Sequence, residues 1–585
     1  MKYFRKMLDV NAPWFRDRPA LLDRLSKAKE NYDVIPSRKG MPVVRNRADG
    51  RMFFSRYDPE REARRWWAAQ EIQPGDLPVI LGFPYPVFCA VEERPIVCAT
   101  TDAAFVKAVL ENVPLGNALQ GITLLVTEDP ILLRSVIRNN YDPFRHRRVR
   151  VLNSVPEGDP KWTKVMLEAA VDFQRENAMN LLSYAYQLPT WLHTIRRNLE
   201  AWAESPDPSV LENLFSGETA IIIGAGPSLE KNIGELHKVR GRAVMIAVDT
   251  VLRRLDAEGI RPDIAVAVDA NEANALDIVD VGGDVLEAVL VADPMASPEI
   301  VRAFEKRRLF FRSINYTFDA EGRPAPILMP LDQLLIFIAG RERIPYWQSG
   351  GSVSTNAFSL ATYLGCRTVV LVGHDFAFTG GRTHSAGVGY EEISENLDRF
   401  SSFERERWAR LARGEIAVPA WDGGEVFTTE VMREFVRWYE STIAEGFARE
   451  IRMIDATEGG MRKEGMERRR LSEVVASLRG DIAVKTRIDE ALAKTEPTAA
   501  PGWMERSGEL VRGAQVFLAE LEAGDLASGA EPVFPGGILG DLLRWLILPA
   551  YLGTADLKEE ERRGVIRRSL PAAARFVVEE WGRGG

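Results

Sequence analysis

Residues Ile221 to Asn232 read IIIGAGPSLEKN, an apolar run that turns through Gly224, Ala225, Gly226, Pro227 and Ser228 into a helical pattern. Glycines in such a turn let main-chain N–H groups approach phosphate oxygens at the positive end of the helix that follows. Phosphate or pyrophosphate is the expected ligand. Ser228 either donates its hydroxyl to that anion or caps the helix. No GK[ST] follows, and Asn232 and Ile233 stand where the dinucleotide fingerprint carries its third glycine, which disfavours P-loop ATP hydrolysis and NAD chemistry.

Two apolar runs end in Val248-Asp249 and Val268-Asp269, and a third ends in Gly373-His374-Asp375. In open α/β sheets ligands bind beyond the carboxyl ends of the strands, so these side chains gather on the rim that holds the glycine loop. Each Asp alone reads as a helix cap, whereas several on one rim can hold ribose hydroxyls, a divalent metal or a proton.

A second dense patch runs from Gly350 to Gly387, GGSVSTNAFSLATYLGC followed by RTVVLVGHDFAFTGGRTHSAG. Gly350 and Gly351 before Ser352, Ser354, Thr355 and Asn356 make a polar turn that opens an apolar helix, again suited to an anion. The alternative is that Ser352 and Ser354 only satisfy N–H groups of the first turn. Two of the chain's five histidines, His374 and His384, lie here, and either is a candidate general base or a structural histidine. Gly380-Gly381 between them suggests a mobile loop able to close over substrate.

The elements that must position these groups alternate strand and helix: Ala220–Ile223, Ala243–Val248, Ile264–Val268, Ala288–Val291, Leu309–Phe311 and Thr368–Val372. Continuous β-branched runs, each followed by a helical pattern, predict a doubly wound, mostly parallel Rossmann-like sheet covered on both faces. The full length of 585 residues exceeds what one core holds, and three segments are expected: an N-terminal α/β domain (1–204), the central nucleotide-binding domain (205–460) and a C-terminal helical domain (461–585). The SPDPS stretch at Ser205–Ser209 marks the first boundary.

A net charge of −9 gives no footprint for nucleic acid. Cys89, Cys98 and Cys366 show no metal-ligand spacing and fit a reducing compartment. No apolar run reaches the ~20 residues of a spanning helix, since Asp541 and Arg544 interrupt Ile538–Ala555, and MKYFRKMLDVNAPWF lacks a signal-peptide pattern. A cytoplasmic protein is expected.

The motifs GAGPSLEKN, AVDT, RPDIAVAVDA, the Gly350–Gly387 patch and IDATEGG (Ile454–Gly460) occur in the order and spacing of the motility-associated-factor family, which this chain resembles over about Ala220–Gly460. FFSRYDPEREARRW, Phe53–Trp66, is similar to that family's N-terminal signature. The family's central domain is shared with 6-hydroxymethylpterin diphosphokinase-like proteins and resembles bacterial sialyltransferases.

The resemblance implies transfer of a nonulosonic acid, pseudaminic, legionaminic or sialic in type, from a CMP-activated donor to flagellin Ser and Thr hydroxyls, with Mg²⁺ a further candidate cofactor. Gly224, Gly226, Pro227 and Ser228 match the sialyltransferase donor loop and Gly373, Asp375 and Phe376 its strand end; Asp249, Asp269, Gly351, Ser352, Thr355 and His374, read from the strand ends and the second patch, complete the candidate donor contacts. Ala225 replaces the Asn of the sialyltransferase loop, and Trp421–Val431 lacks that family's catalytic His. His384, Asp375 and Asp249, in that order, are the candidate bases. The alternatives are an ATP-dependent diphosphokinase, with Asp249, Asp269 and Asp375 on a metal, and a flagellin-binding factor without catalysis.

Overall fold

A computed structural model describes residues 10–582 except 17, 91–94, 155–158, 271, 319–322, 389–415, 445–449, 495, 523–533 and 553–558. The first nine residues and the 553–555 end of the Ile538–Ala555 run therefore lie outside the described residues. Among the described residues no helix is long and apolar enough to cross a membrane.

The chain divides into two compact units, Met1–Tyr186 with Tyr316–Ile327 and Leu548–Arg562, and Gln187–Asn315 with Leu328–Ile547 and Arg563–Gly585. In the first unit Asp76–Leu81, Ile96–Thr100, Ile122–Val126 and Arg148–Asn153 form a parallel sheet in the order third, second, first, fourth. Side chains alternate between its faces, Ile80, Cys98 and Leu124 toward one core, Val79, Val97 and Leu125 toward the other. Helix α1, Pro160–Glu204, carries the chain onward, and the division between units falls within it.

The second unit is built on eight strands: β1 Thr219–Ile223, β2 Val244–Val248, β3 Ile264–Ala267, β4 Val289–Ala292, β5 Arg308–Phe310, β6 Thr368–Val372, β7 Arg452–Asp455 and β8 Glu467–Arg468. Their order is β5-β4-β3-β2-β1-β6-β7-β8 and every pairing is parallel. The six expected strands all form. From β1 the chain winds outward to β5 and returns to place β6 on the other side of β1, so the topological switch point lies between β1 and β6.

Helices α2 (Pro330–Ala339), α3 (Val353–Tyr363), α4 (Glu430–Ala444) and α5 (Val484–Leu492) follow in sequence. Ala220, Ile222, Val244, Ile246, Ile264 and Val266 pack with Ala357, Leu360, Ala361 and Leu364 of α3, and with Val484 and Ile488 of α5, in one buried core.

Residues 461–547 and 563–585 of the expected C-terminal segment fall in the second unit with the central sheet. The reason is packing: α5 buries its apolar stripe on the central sheet, Ile482 N donates to Gly241 O, and Arg242 reaches the carbonyls of Val475 and Leu478. Its heptad-like pattern encodes an apolar face but not which surface covers it.

Candidate functional site

Among the described residues, β1 and β6 meet as two turns packed main chain on main chain. Gly224 N donates to Val372 O and Gly226 N to Gly373 O. A Cβ on Gly226 would overlap Asp375 Oδ1 and stand 2.7 Å from Gly373 O, and one on Gly373, at φ +68°, would overlap Gly224 O. The glycines are thus required by the approach of the two strand ends to one another. The crevice at the switch point is closed by protein.

Pro227–Lys231 and Ile233–Lys238 are two short 3₁₀ helices, where a longer helix was expected. The first has its own internal anion. Asp375 accepts from Ser228 N at 3.2 and 3.3 Å and from the Ser228 hydroxyl, and it also accepts from the Thr379 hydroxyl. Both donors of Ser228 are therefore engaged by a carboxylate at the place where a phosphate was expected. Burial raises the Asp375 carboxyl, while the bonds from Ser228 and Thr379 oppose the shift. Asp375 positions the loop through these bonds from Ser228 and Thr379.

The Gly380-Gly381 segment is fastened down, contrary to the expected mobile lid. Arg382 forms a bidentate pair with Glu230, both bonds 2.8 Å, Ala386 N donates to Glu230 at 2.9 Å, and Ser385 N donates to Ala225 O at 2.8 Å. His384 is half-buried, with Nδ1 3.0 Å from Thr383 Oγ1.

His374 is buried, its ring bonded to the main chain of Ile222, and its Nε2 has no partner. Burial, then Lys463, pushes its pKa down to about 3. It stays neutral at physiological pH, and so low a pKa makes it a weak proton acceptor. Lys463 is itself buried in an ion pair with Asp455, 3.0 Å, beside the Phe376 ring.

On the other side of β1, Asp249 is buried beyond β2, Oδ1 accepting from Thr250 N at 2.9 Å and Oδ2 facing Asn274 Nδ2 at 3.4 Å. Burial, followed by the Asp269 and Asp277 carboxylates, raises its pKa to about 8. Asp269 is exposed at the rim, and the surrounding protein and then Asp293 push its carboxyl upward. Asp293 is pinned further along the rim by Arg312, which bridges it at 2.9 Å to Asp332 at 2.6 Å in a buried triad.

Helix α3 brings the last group to the same rim. Its C-terminal end lies at the starting ends of the strands, because Asn213 N donates to Tyr363 O, Gly217 N to Gly365 O and Arg367 N to Glu218 O. Eleven helical residues and five strand residues both span about 16 Å. The α3 N-terminus therefore reaches the carboxyl ends of β1, β2 and β3. There Thr355 Oγ1 accepts from Gly350 N (2.9 Å) and Ser352 N (3.3 Å) and donates to Ser352 O. Gly351 adopts φ +87° just ahead of this turn.

Thr355 ties the turn together, and the Ser352 hydroxyl, which the capping alternative would engage, has no partner among the described residues. One turn on, Asn356 is 1% exposed and neither its Oδ1 nor its Nδ2 has a partner. It shares a stripe with Val353 and Leu360, which pack on the sheet. Asn356 stands in the polar turn of the sequence with no expected role. A carboxamide on the core-facing stripe of a helix is the signal that marks it.

A parallel sheet of this order with helices packed on it defines the class: a doubly wound α/β fold. Residues 193–381 match the family model described as 6-hydroxymethylpterin diphosphokinase MptE-like. The whole chain superposes on a structure titled MAf glycosyltransferase from Magnetospirillum magneticum AMB-1, TM-score 0.63 and 15% identity, covering 100% of this chain and 96% of that one. The fold is therefore that of the MAf glycosyltransferase, as the motif resemblance implied.

Two uncharacterized proteins of Treponema pallidum (strain Nichols) are also similar, one 54% identical over 44 residues and one 21% identical over 156 residues. These matches span 8% and 26% of this chain, and 11% and 51% of the relatives' own lengths.

Proposed function

We propose that the chain is a glycosyltransferase that moves a nonulosonic acid from a CMP-activated donor to Ser or Thr hydroxyls of flagellin, serving flagellum assembly and motility. The observation that carries this reading is the α3 opening: buried, unpartnered polar groups at the strand-end rim of a fold shared along its length with the MAf glycosyltransferase. First-turn N–H groups of a helix lack acceptors within it, and they attract an anion through the helix dipole. The donor phosphate belongs there, beside Ser352, and not at Ser228.

In this reaction the acceptor oxygen attacks the anomeric carbon, the bond from that carbon to the phosphate oxygen breaks, and CMP leaves with the bonding pair. The hydroxyl proton passes to a base. Asp249 is favoured, because a carboxyl raised to about 8 binds a proton far more readily near neutrality than an ordinary one. The leaving phosphate is stabilised by fixed dipoles that need no rearrangement.

The test is incubation of the purified chain with a CMP-nonulosonic acid and flagellin. A mass gain of one sugar, lost in Ser352→Ala and Asp249→Asn, supports the reading. No gain, together with AMP release from ATP and a pterin alcohol, overturns it.

That second outcome represents the reading that the MptE-like match over residues 193–381 favours, pyrophosphoryl transfer from ATP. Under it Asp249, Asp269 and Asp375 would hold Mg²⁺. The residues do not fit such a triad: Asp375 is held by Ser228 and Thr379, and among the described residues no three His, Cys, Asp or Glu side chains form a metal-holding group.

A further inference from the structure

Asn356 is the least explained polar residue of the second unit. Its neighbours on the helix stripe are apolar and packed, it is 1% exposed, and both ends of its carboxamide lack partners among the described residues. Burial of an unpaired amide is unfavourable, and native proteins retain such groups where a ligand completes them. Its place at the rim end of α3, one turn from the equally unpartnered Ser352 hydroxyl, puts it beside the anion position proposed above.

The chemistry of the group defines its complement. A carboxamide presents one acceptor and two donors in a plane, so it pairs in two-point fashion with a planar edge that offers a donor beside an acceptor. A phosphate has no such edge. One part of a nucleotide sugar does, the hydrogen-bonding edge of the heterocyclic base, whereas the trans acetamido group of a sugar points its N–H and C=O to opposite sides.

We infer that Asn356 is a specificity-determining contact that reads a donor–acceptor edge of the bound nucleotide sugar, while Ser352 and the helix start hold its phosphate. The inference rests on the nucleotide-sugar reading for its ligand but makes a separate demand. Asn356 should matter to ligands that carry such an edge and be indifferent to ligands that carry only the phosphate and ribose.

The experiment compares the full-length chain with Asn356→Ala and Asn356→Leu by thermal shift and calorimetry, using CMP, UMP, AMP, ribose 5-phosphate and N-acetylneuraminic acid. For the base as source, CMP binding weakens on the order of tenfold or more in both variants, and ribose 5-phosphate binding is unchanged. Loss of N-acetylneuraminic acid affinity with CMP affinity unchanged overturns the inference, because a trans acetamido group has no such edge. Removing an unpaired amide also leaves the ligand-free melting temperature equal or raises it, most clearly in Asn356→Leu, whereas an amide with a structural role would lower it.

Equal CMP and N-acetylneuraminic acid affinities in wild type and variants overturn the inference, as does a uniform loss that includes ribose 5-phosphate. If the wild type responds to AMP or UMP instead of CMP, and the variants lose that response, the CMP reading fails and the role of Asn356 stands. No response of the wild type to any ligand in the panel overturns both.

Discussion

The Asp375 carboxylate, at the end of β6, accepts from both the main-chain N–H and the hydroxyl of Ser228, in the loop that follows β1. This one contact decides how the most conspicuous motif in the chain is used. The GAGPS loop serves as a buckle between adjacent strand ends, and its helix start is neutralised from within the protein.

The buckle can be tested through its tightest point. Gly226→Ala places a methyl into Asp375 Oδ1 and Gly373 O, so it should destabilise the chain by about 1–3 kcal/mol in chemical denaturation. Asp375→Ala should also destabilise. Because the two side chains compete for one volume, the double variant should fall short of the sum by ~0.5 kcal/mol or more. Additivity would mean that the clash is with the main chain alone.

Asp249 gives a pH dependence with a definite sign. Its folded pKa, about 8, lies above the ordinary carboxyl value of 3.8. The native state therefore holds a proton that the unfolded state releases. The associated stability is fully present below the unfolded value and is lost as pH rises through about 8. Melting scans should show a fall across that window that is reduced in Asp249→Asn. If the deprotonated form is the base for sugar transfer, activity should climb with pH through the same value, and that limb should vanish in the variant.

The buried Lys463–Asp455 pair behaves differently from surface pairs. Both side chains are fully buried, so Lys463→Met leaves a carboxylate without its partner and should destabilise by about 3–5 kcal/mol. Asp455→Asn combined with Lys463→Met should recover much of this in urea titrations. Loss of the nearby ammonium should also raise the His374 pKa, because Lys463 opposes protonation there. The imidazole resonances would report it.

The Glu230–Arg382 latch is about one-third exposed at each side chain, so the ion pair itself is worth no more than ~1 kcal/mol. Its importance is geometric, since Glu230 also holds Ala386 N. Glu230→Ala should leave the melting temperature nearly unchanged while sharply accelerating proteolytic cleavage between Thr379 and Gly387. Unchanged cleavage would show that the Ser385 to Ala225 bond suffices.

The strands of the central sheet were legible because each is buried on both faces and reads as an unbroken apolar run, and the carboxylates after β2, β3 and β6 were legible because strand ends in a parallel sheet share a rim. Strand Ile96–Thr100 and the place of α5 were not, since a short apolar run or an amphipathic helix does not name its partner surface. Ser228 read as an anion donor or, the commoner role at such a position, a helix cap. Its real partner lies 147 residues away, beyond the reach of any local pattern.

The sequence by itself determined the element types, the parallel sheet and the set of polar residues available at its rim, because these follow from local periodicity and from the chirality of strand–helix–strand units. Only the tertiary structure decided which of those residues satisfy one another and which are left for a ligand. Asp375 and Ser228 were brought together and neutralised; Ser352 and Asn356 were buried with their hydrogen-bonding atoms unpaired. Hydrogen-bond satisfaction depends on distances set by packing of remote segments, and residue type alone carries no record of those distances.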